Sequence, residues 1–218
     1  MATKHTIYIV DDHPLMRKGM AMTLDLEIDF DVVGQSESAE QALQEIPQKK
    51  PDIAILDISL PGMNGIELIK NLLVHLPELK ILIVSRHDEE LYAERAIRAG
   101  ARGYLMKLEA GDTLVTATRR VLSGNLYLSE QIGNAMIMKL AGGKGGGTDD
   151  PLQLLSDREL EVFELTGKGL TTQDIASKLH VSVKTVESYR ARIKEKMDLK
   201  SANDLLRRAV QWTDRNEL

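Results

Sequence analysis

Five side chains whose types could do chemistry stand at the ends of short apolar runs. Asp11-Asp12 follow Thr6-Ile-Tyr-Ile-Val10, Asp57 follows Ile53-Ala-Ile-Leu56, Ser85 ends Lys80-Ile-Leu-Ile-Val84, and Lys107 ends Gly103-Tyr-Leu-Met106. A carboxylate at the exit of a buried strand is held rigidly and still faces water. Three carboxylates brought together repel one another unless a cation sits among them. A hard divalent ion suits the set, because Mg2+ takes one or two carboxylates and keeps waters and phosphate oxygens. Lys107 adds a mobile point charge for a phosphoryl oxygen, and Ser85 a hydroxyl donor. In that company Asp57 is a candidate nucleophile that forms an aspartyl-phosphate. Such a transfer asks for positioning and charge neutralisation more than covalent help. Each residue also has an ordinary reading. Asp57 could cap the turn Pro61-Gly62-Met63-Asn64-Gly65, Asp11-Asp12 could be a hydrated strand end, Lys107 a surface cation and Ser85 a helix cap. Whether the secondary structure carries all five to one edge decides between them.

It does. The apolar runs read as strands one, three, four and five, and Asp31-Val-Val-Gly34 as strand two. Between them lie helical patterns with recognisable starts: Pro14 in a first turn, Ser38-Ala-Glu-Gln41 as a capping box, Asn64 and Asp88 as caps, and a fifth helix over about Asp112 to Leu122. Strands alternating with helices require a parallel sheet covered on both faces. The expected fold is therefore an α/β doubly wound five-stranded parallel sheet, whose sites form outside the carboxyl ends of the strands. Three acids, a hydroxyl and an amine then share one edge, and only strand two ends without a candidate. No G-x-G-x-x-G follows strand one, which excludes a Rossmann dinucleotide site, and Asp11-Asp12 would repel a flavin phosphate there.

Composition bounds the remaining classes. The chain has 218 residues, 28% charged and 43% hydrophobic, with no cysteine. Disulfides, thiolate zinc sites and cysteine nucleophiles are thereby excluded. No apolar run reaches 18 residues, and Met1 to His5 lead straight into a strand with no room for a signal peptide, so a cytoplasmic protein with no membrane contact is expected. Residues 1–140 carry the whole net charge of −5, while residues 141–218 sum to zero. Any nucleic-acid-binding charge must be local.

Asp11-Asp12, Asp57, the Leu60-Pro-Gly-Met-Asn-Gly65 turn, Ser85 and Lys107 resemble the receiver domain of bacterial two-component response regulators, over roughly residues 5–123. The resemblance implies a flavodoxin-like fold and phosphorylation of Asp57 by a histidine kinase. It also implies Mg2+ held by Asp12, Asp57 and a backbone carbonyl near Ser59, with Asp11 assisting through a water. Ser85 would move toward the phosphoryl group while Tyr104 turns inward. Two departures bear on this. Leu108 stands where the family often has a proline, and Ser59 and His87 occupy positions that commonly tune phosphoryl lifetime, which therefore stays open. The five histidines show no metal spacing, and surface or cap roles are expected of them.

Leu126 to Leu140 turns helical near its end, and Ala141-Gly-Gly-Lys-Gly-Gly-Gly-Thr-Asp-Asp-Pro151 reads as a flexible tether. The expected organisation is a first domain over 1–124, a linker over 125–151 and a second domain over 152–218. The second domain is purely helical, with starts at Ser156, Thr171, Ser182 and Ser201. Its short second helix, a tight turn and a long basic third helix over Val183–Met197 read as a helix-turn-helix. Val186, Ile193 and Met197 form the inward stripe, while Lys184, Glu187, Ser188, Ala191, Arg192 and Glu195 point away. Leu155-Ser-Asp-Arg-Glu159, Asp174-Ile-Ala176 and Val183-Lys-Thr-Val-Glu187 resemble the LuxR-type helix-turn-helix. The whole chain is similar to the NarL/FixJ family of transcription regulators. That resemblance implies a homodimer on double-stranded inverted-repeat promoter DNA, through the fourth helix over Ser201–Trp212 or a receiver surface, while the helical projection and local charge give Lys184, Thr185, Glu187, Ser188, Arg192 and Lys196 as the DNA-facing set. Glu187 could instead pair with Lys184 or Arg190. Tyr189 and Arg192 depart from the residues common in the family, so base preference does not carry over. Two other functions stay open: a DNA-binding regulator indifferent to phosphorylation, and a Mg2+-dependent phosphatase, for which Ser59 lacks the second acid that a leaving group needs. The expected protein is not an enzyme.

Overall fold

The computed structural model describes residues 4–140 and 151–216. The tether expected at 141–151 falls outside them apart from Pro151. The chain divides into two compact units, Met1–Gly145 and Gly146–Leu218. Among the described residues no helix is long and apolar enough to cross a membrane.

In the first unit the strands are β1 (His5–Val10), β2 (Phe30–Ser36), β3 (Ile53–Leu56), β4 (Lys80–Ser85) and β5 (Gly103–Met106). They pair in parallel in the order β2-β1-β3-β4-β5. The helices are α1 (Pro14–Asp25), α2 (Ala39–Lys49), α3 (Gly65–His75), α4 (Glu89–Ala99), α5 (Ala110–Leu122) and α6 (Glu130–Leu140). Alternate strand residues face opposite sides of a sheet. Ile7, Ile9, Ile53, Ile55, Leu82, Val84 and Leu105 accordingly gather with Leu24 of α1 and Leu114, Ala117 and Val121 of α5 into one core. The opposite residues Tyr8, Val10, Ala54, Leu56, Ile81 and Ile83 are fully buried too, as a sheet covered on both faces requires. The winding reverses between β1 and β3, and β1 and β4 flank β3. The exits of these three strands therefore lie side by side.

Local signals act where expected. Ser38, Asn64 and Asp88 accept the backbone N–H groups of Gln41, Glu67 and Glu90, and Gly100 closes α4 in the left-handed conformation. Two boundaries move. β2 begins at Phe30, which pairs with His5, and α5 begins at Ala110 because Lys107–Glu109 form a 3-10 turn leading into it. Beyond residue 124 the chain stays on this unit. The Tyr127 N–H donates to Arg102 O, and Tyr104 N–H donates to Tyr127 O, which extends the sheet past β5. Ser129 N–H and the Gln131 amide then donate to the carboxylates of Glu89 and Glu90 at the start of α4, where Ile132 of α6 is buried.

The second unit holds α7 (Asp157–Gly167), α8 (Thr172–Leu179), α9 (Val183–Lys196) and α10 (Ala202–Asn216). Both Ser156 and Thr171 open their helices with reciprocal capping boxes, to Glu159 and Asp174. His180, left-handed, ends α8, and Ser182 caps α9. Leu160, Phe163, Ile175, Val186, Ile193, Leu205 and Ala209 are buried, with Trp212 packed against the Phe163 ring at 6.0 Å.

Candidate functional site

Asp11 and Asp57 sit one residue beyond the ends of β1 and β3, and the strand pairing sets their spacing: Asp57 N–H donates to Val10 O. Burial of both strands draws the two carboxylates out of water, so that their side chains are 0% and 3% exposed. Lys107, at the exit of β5, reaches back across the edge with an ammonium 2.7 Å from Asp11 Oδ2 and 2.7 Å from Asp57 Oδ2. The other Asp57 oxygen accepts the Ile58 N–H at 2.7 Å. Asp12 is more open, with 34% of its side chain exposed. Three carboxylates against one ammonium leave two negative charges in the pocket, the complement of a divalent ion. Donor atoms of Asp11, Asp12, His13 and Asp57 all lie within 4.8 Å of one another, which fits such an ion.

Ser85 ends β4 fully buried, its hydroxyl accepting the His87 N–H at 3.3 Å. Tyr104 is buried on β5, and its hydroxyl donates to His87 O at 2.8 Å. Ser59 turns its hydroxyl to His87 Nε2 at 2.7 Å, while the His87 ring lies 4.4 Å from that of Tyr92. Both positions expected to tune lifetime thus touch each other, beside Ser85 and Tyr104. All described peptides are trans, the one before Leu108 included. His13 is the N-cap residue of α1 by position, but its ring does not cap; Nδ1 lies 2.6 Å from Asp12 Oδ1, and the Arg86 guanidinium reaches Nε2. Sequence reasoning assigned His13 a surface or cap role and gave Arg86 none. The signal that was available is its adjacency to Asp11-Asp12.

In the second unit the helix-turn-helix presents α9. Lys184, Glu187, Ser188, Ala191, Arg192 and Glu195 are exposed, and Val186 and Ile193 are buried. Thr185 is spent partly on the helix start, its N–H and hydroxyl both meeting the Ser182 hydroxyl. Ser188 bonds back to Lys184 O. Arg190 donates to Thr172 of α8, and Glu187 has no ion-pair partner among the described residues, so the pairing weighed for it is not formed. Lys196 differs from the other members of the set: its ammonium donates to Glu159 Oε2 at 2.6 Å. Burial pushes the Glu159 carboxyl up, but hydrogen bonds from Lys196 and from the Ser156 backbone and hydroxyl outweigh it and hold the group below the usual carboxylate range.

Residues 7–119 match the response regulator receiver domain, and residues 153–209 match the luxR family of bacterial regulatory proteins. The oxygen regulatory protein NreC of Staphylococcus carnosus is 35% identical over 209 residues, covering 94% of this chain and 96% of its own. The transcriptional activator protein ExaE of Pseudomonas putida is 37% identical over 205 residues, covering 94% and 95%. Among solved structures, RcsB from Salmonella enterica serovar Typhimurium, bound to promoter rprA in the presence of phosphomimetic BeF3-, is 26% identical. It matches 94% of this chain and 98% of its own with a TM-score of 0.63.

Proposed function

The chain belongs to the two-component response regulators that join a receiver domain to a LuxR-type DNA-binding domain and act as transcription regulators, and from that premise we propose that Asp57 is its phosphoryl acceptor and a histidine kinase its donor. The observation that carries this reading is the ammonium of Lys107 shared between two buried carboxylates inside a four-residue donor cluster. Asp11, Asp12, Asp57 and the backbone carbonyl of Ser59 are the residues that would hold Mg2+, which supplies charge neutralisation for a transferring phosphoryl group. An Asp57 carboxylate oxygen forms the new P–O bond as the P–N bond to the donor histidine breaks, and the donor imidazole departs with the electron pair. Lys107 is within reach of a phosphoryl oxygen on Asp57, since its ammonium already touches that carboxylate.

Ser85 and Tyr104 are the switch pair. A phosphoryl group shifts a two-state equilibrium only by contacting one arrangement better than the other. A hydroxyl donor at Ser85 supplies that difference, and His87, held at its N–H by Ser85 and at its carbonyl by Tyr104, ties the two together. On the output side Lys184, Thr185, Glu187, Ser188 and Arg192 face DNA, and Lys196 braces α9 against α7 through Glu159. Phosphorylation favours a homodimer on inverted-repeat promoter DNA in the cytoplasm.

The test is labelling with radioactive acetyl phosphate in the presence of Mg2+. Wild-type protein is expected to take up a base-labile label that Asp57→Asn abolishes. A base-stable label, or one that persists in the variant, sinks the acceptor assignment.

A further inference from the structure

Asp12 is the one acid of the pocket that Lys107 does not serve, and its partner comes from another direction. His13 Nδ1 lies 2.6 Å from Asp12 Oδ1, off the line of an aligned hydrogen bond. On the far side of the ring, the guanidinium of Arg86 donates to Nε2. Arginine has five N–H donors and no acceptor, so Nε2 must offer its lone pair and the ring proton must sit on Nδ1, which lies 2.6 Å from Asp12 Oδ1 and 3.5 Å from Asp11 Oδ1. Guanidinium, imidazole and carboxylate then stand in a row, joined by one hydrogen bond and one close contact.

The placement follows from the sheet order. His13 lies just past the exit of β1 and Arg86 just past that of β4, and these two strands flank β3 with Asp57 at its exit. The contact therefore spans the mouth of the pocket. His13 is steadied from its own backbone as well, because its N–H donates to Asp11 Oδ1 at 2.8 Å.

We propose that Arg86 and His13 are positioning residues, which through this relay turn the Asp12 carboxylate toward the divalent cation. The inference rests on the cation-binding reading of the pocket given above. Asp12 offers one carboxylate oxygen to the donor cluster, and the ring held against Oδ1 limits how that carboxylate can turn. Partners of this outer kind fix ligand orientation and commonly alter metal affinity 10–100-fold. The nearest competing reading makes His13 itself a ligand, since one of its ring nitrogens belongs to the donor cluster. Ligation would move the ring proton to Nε2 and set it against a guanidinium, so the imidazole acts on Asp12 and not on the ion.

Binding of Mg2+ and Mn2+ to the full-length chain, by calorimetry and by the electron paramagnetic resonance of free Mn2+, tests the relay. Arg86→Ala and His13→Leu are each expected to weaken binding about tenfold, and the double variant no further than the worse single one. His13→Gln keeps a donor and an acceptor on opposite ends of a short planar group, and should restore most of the affinity. Pulsed spectra of bound Mn2+ should show no directly bonded nitrogen. Wild-type affinity in both single variants, independent additive losses, or no recovery with Gln would overturn the relay. A directly bonded nitrogen overturns it in favour of His13 as ligand. If wild-type protein takes up neither ion, the cation reading of the pocket falls as well, which separates the two failures.

Discussion

Replacing Lys196 by Met separates a brace from a DNA contact. Glu159 is 3% exposed, and its Oε2 takes two donors, the Ser156 N–H at 2.7 Å and Lys196 Nζ at 2.6 Å. Removing the ammonium leaves a buried carboxylate with the capping bonds alone. A hydrogen bond to a charged group contributes about 1.5–3 kcal/mol. The Lys196 side chain is 37% exposed, so solvent screening brings the expected loss down to about 1 kcal/mol. For a domain of this size 1 kcal/mol corresponds to a fall of about 4–8 °C in Tm. Calorimetry of the full chain reads that fall in the transition of the C-terminal unit. Affinity for operator DNA, measured across a salt series, reads the other quantity. Every DNA phosphate that the protein ceases to neutralise lowers the slope of log K against log salt by about 0.9. Arg192→Ala, exposed and without a helical partner to brace, should lower the slope by about that amount and leave the melt unchanged. Lys196→Met should do the reverse. A slope reduced by about 0.9 with an unshifted melt in Lys196→Met would refute the brace and return Lys196 to the groups that bind phosphate.

Glu159 also makes stability of this unit depend on pH. Its folded pKa is depressed, so its contribution is complete above the ordinary carboxylate pKa and disappears as pH falls through the folded value. Melts between pH 6 and 3 should therefore decline less steeply in Glu159→Gln than in wild type; parallel declines would count against it. In the receiver, a Cβ on Gly65 would stand 2.0 Å from Asp57 O and 2.8 Å from Ile58 Cα, both backbone atoms. Gly65→Ala must displace the loop that carries Asp57, at a cost of about 1–3 kcal/mol in denaturant unfolding, with slower acetyl-phosphate labelling. Unaltered stability would show that the loop yields freely.

The receiver pocket was legible because strands buried on both faces read as unbroken apolar runs, and the residue where each run stops is the residue at the sheet edge. Asp11, Asp57, Ser85 and Lys107 were found by that rule, without knowing which strand lies beside which. The helix-turn-helix was legible by period: the stripe of Val186 and Ile193 placed Lys184, Glu187, Ser188 and Arg192 outside. Period says nothing about what a long side chain does at its tip. Lys196 is basic and near the exposed face, and only the packing of α7 against α9 shows that Glu159 holds it. The strap at Tyr127 escaped for a similar reason. A single paired residue leaves no alternating pattern, and its bonds to Arg102 and Tyr104 are backbone bonds that any residue type could make.

Contacts between loops were the least legible part, and the strand order explains why. Sequence neighbours place His13 beside Asp12, but the partner on the other side of the ring is 73 residues away. A parallel sheet wound 1-2-3-4-5 would part β1 from β4 by two strands; the order β2-β1-β3-β4-β5 leaves only β3 between them. That one strand carries Asp57. The same reversal that brings Asp11 and Asp57 together thus sets Arg86 within reach of His13, with Asp57 between them. A residue such as Arg86 acquires a role from the winding of the sheet, and its neighbour Ser85 then shares a loop with a group that touches the opposite wall of the pocket. The rearrangement of Ser85 proposed for the phosphorylated state would consequently be felt at Asp12, because the two are joined through one loop, one guanidinium and one ring.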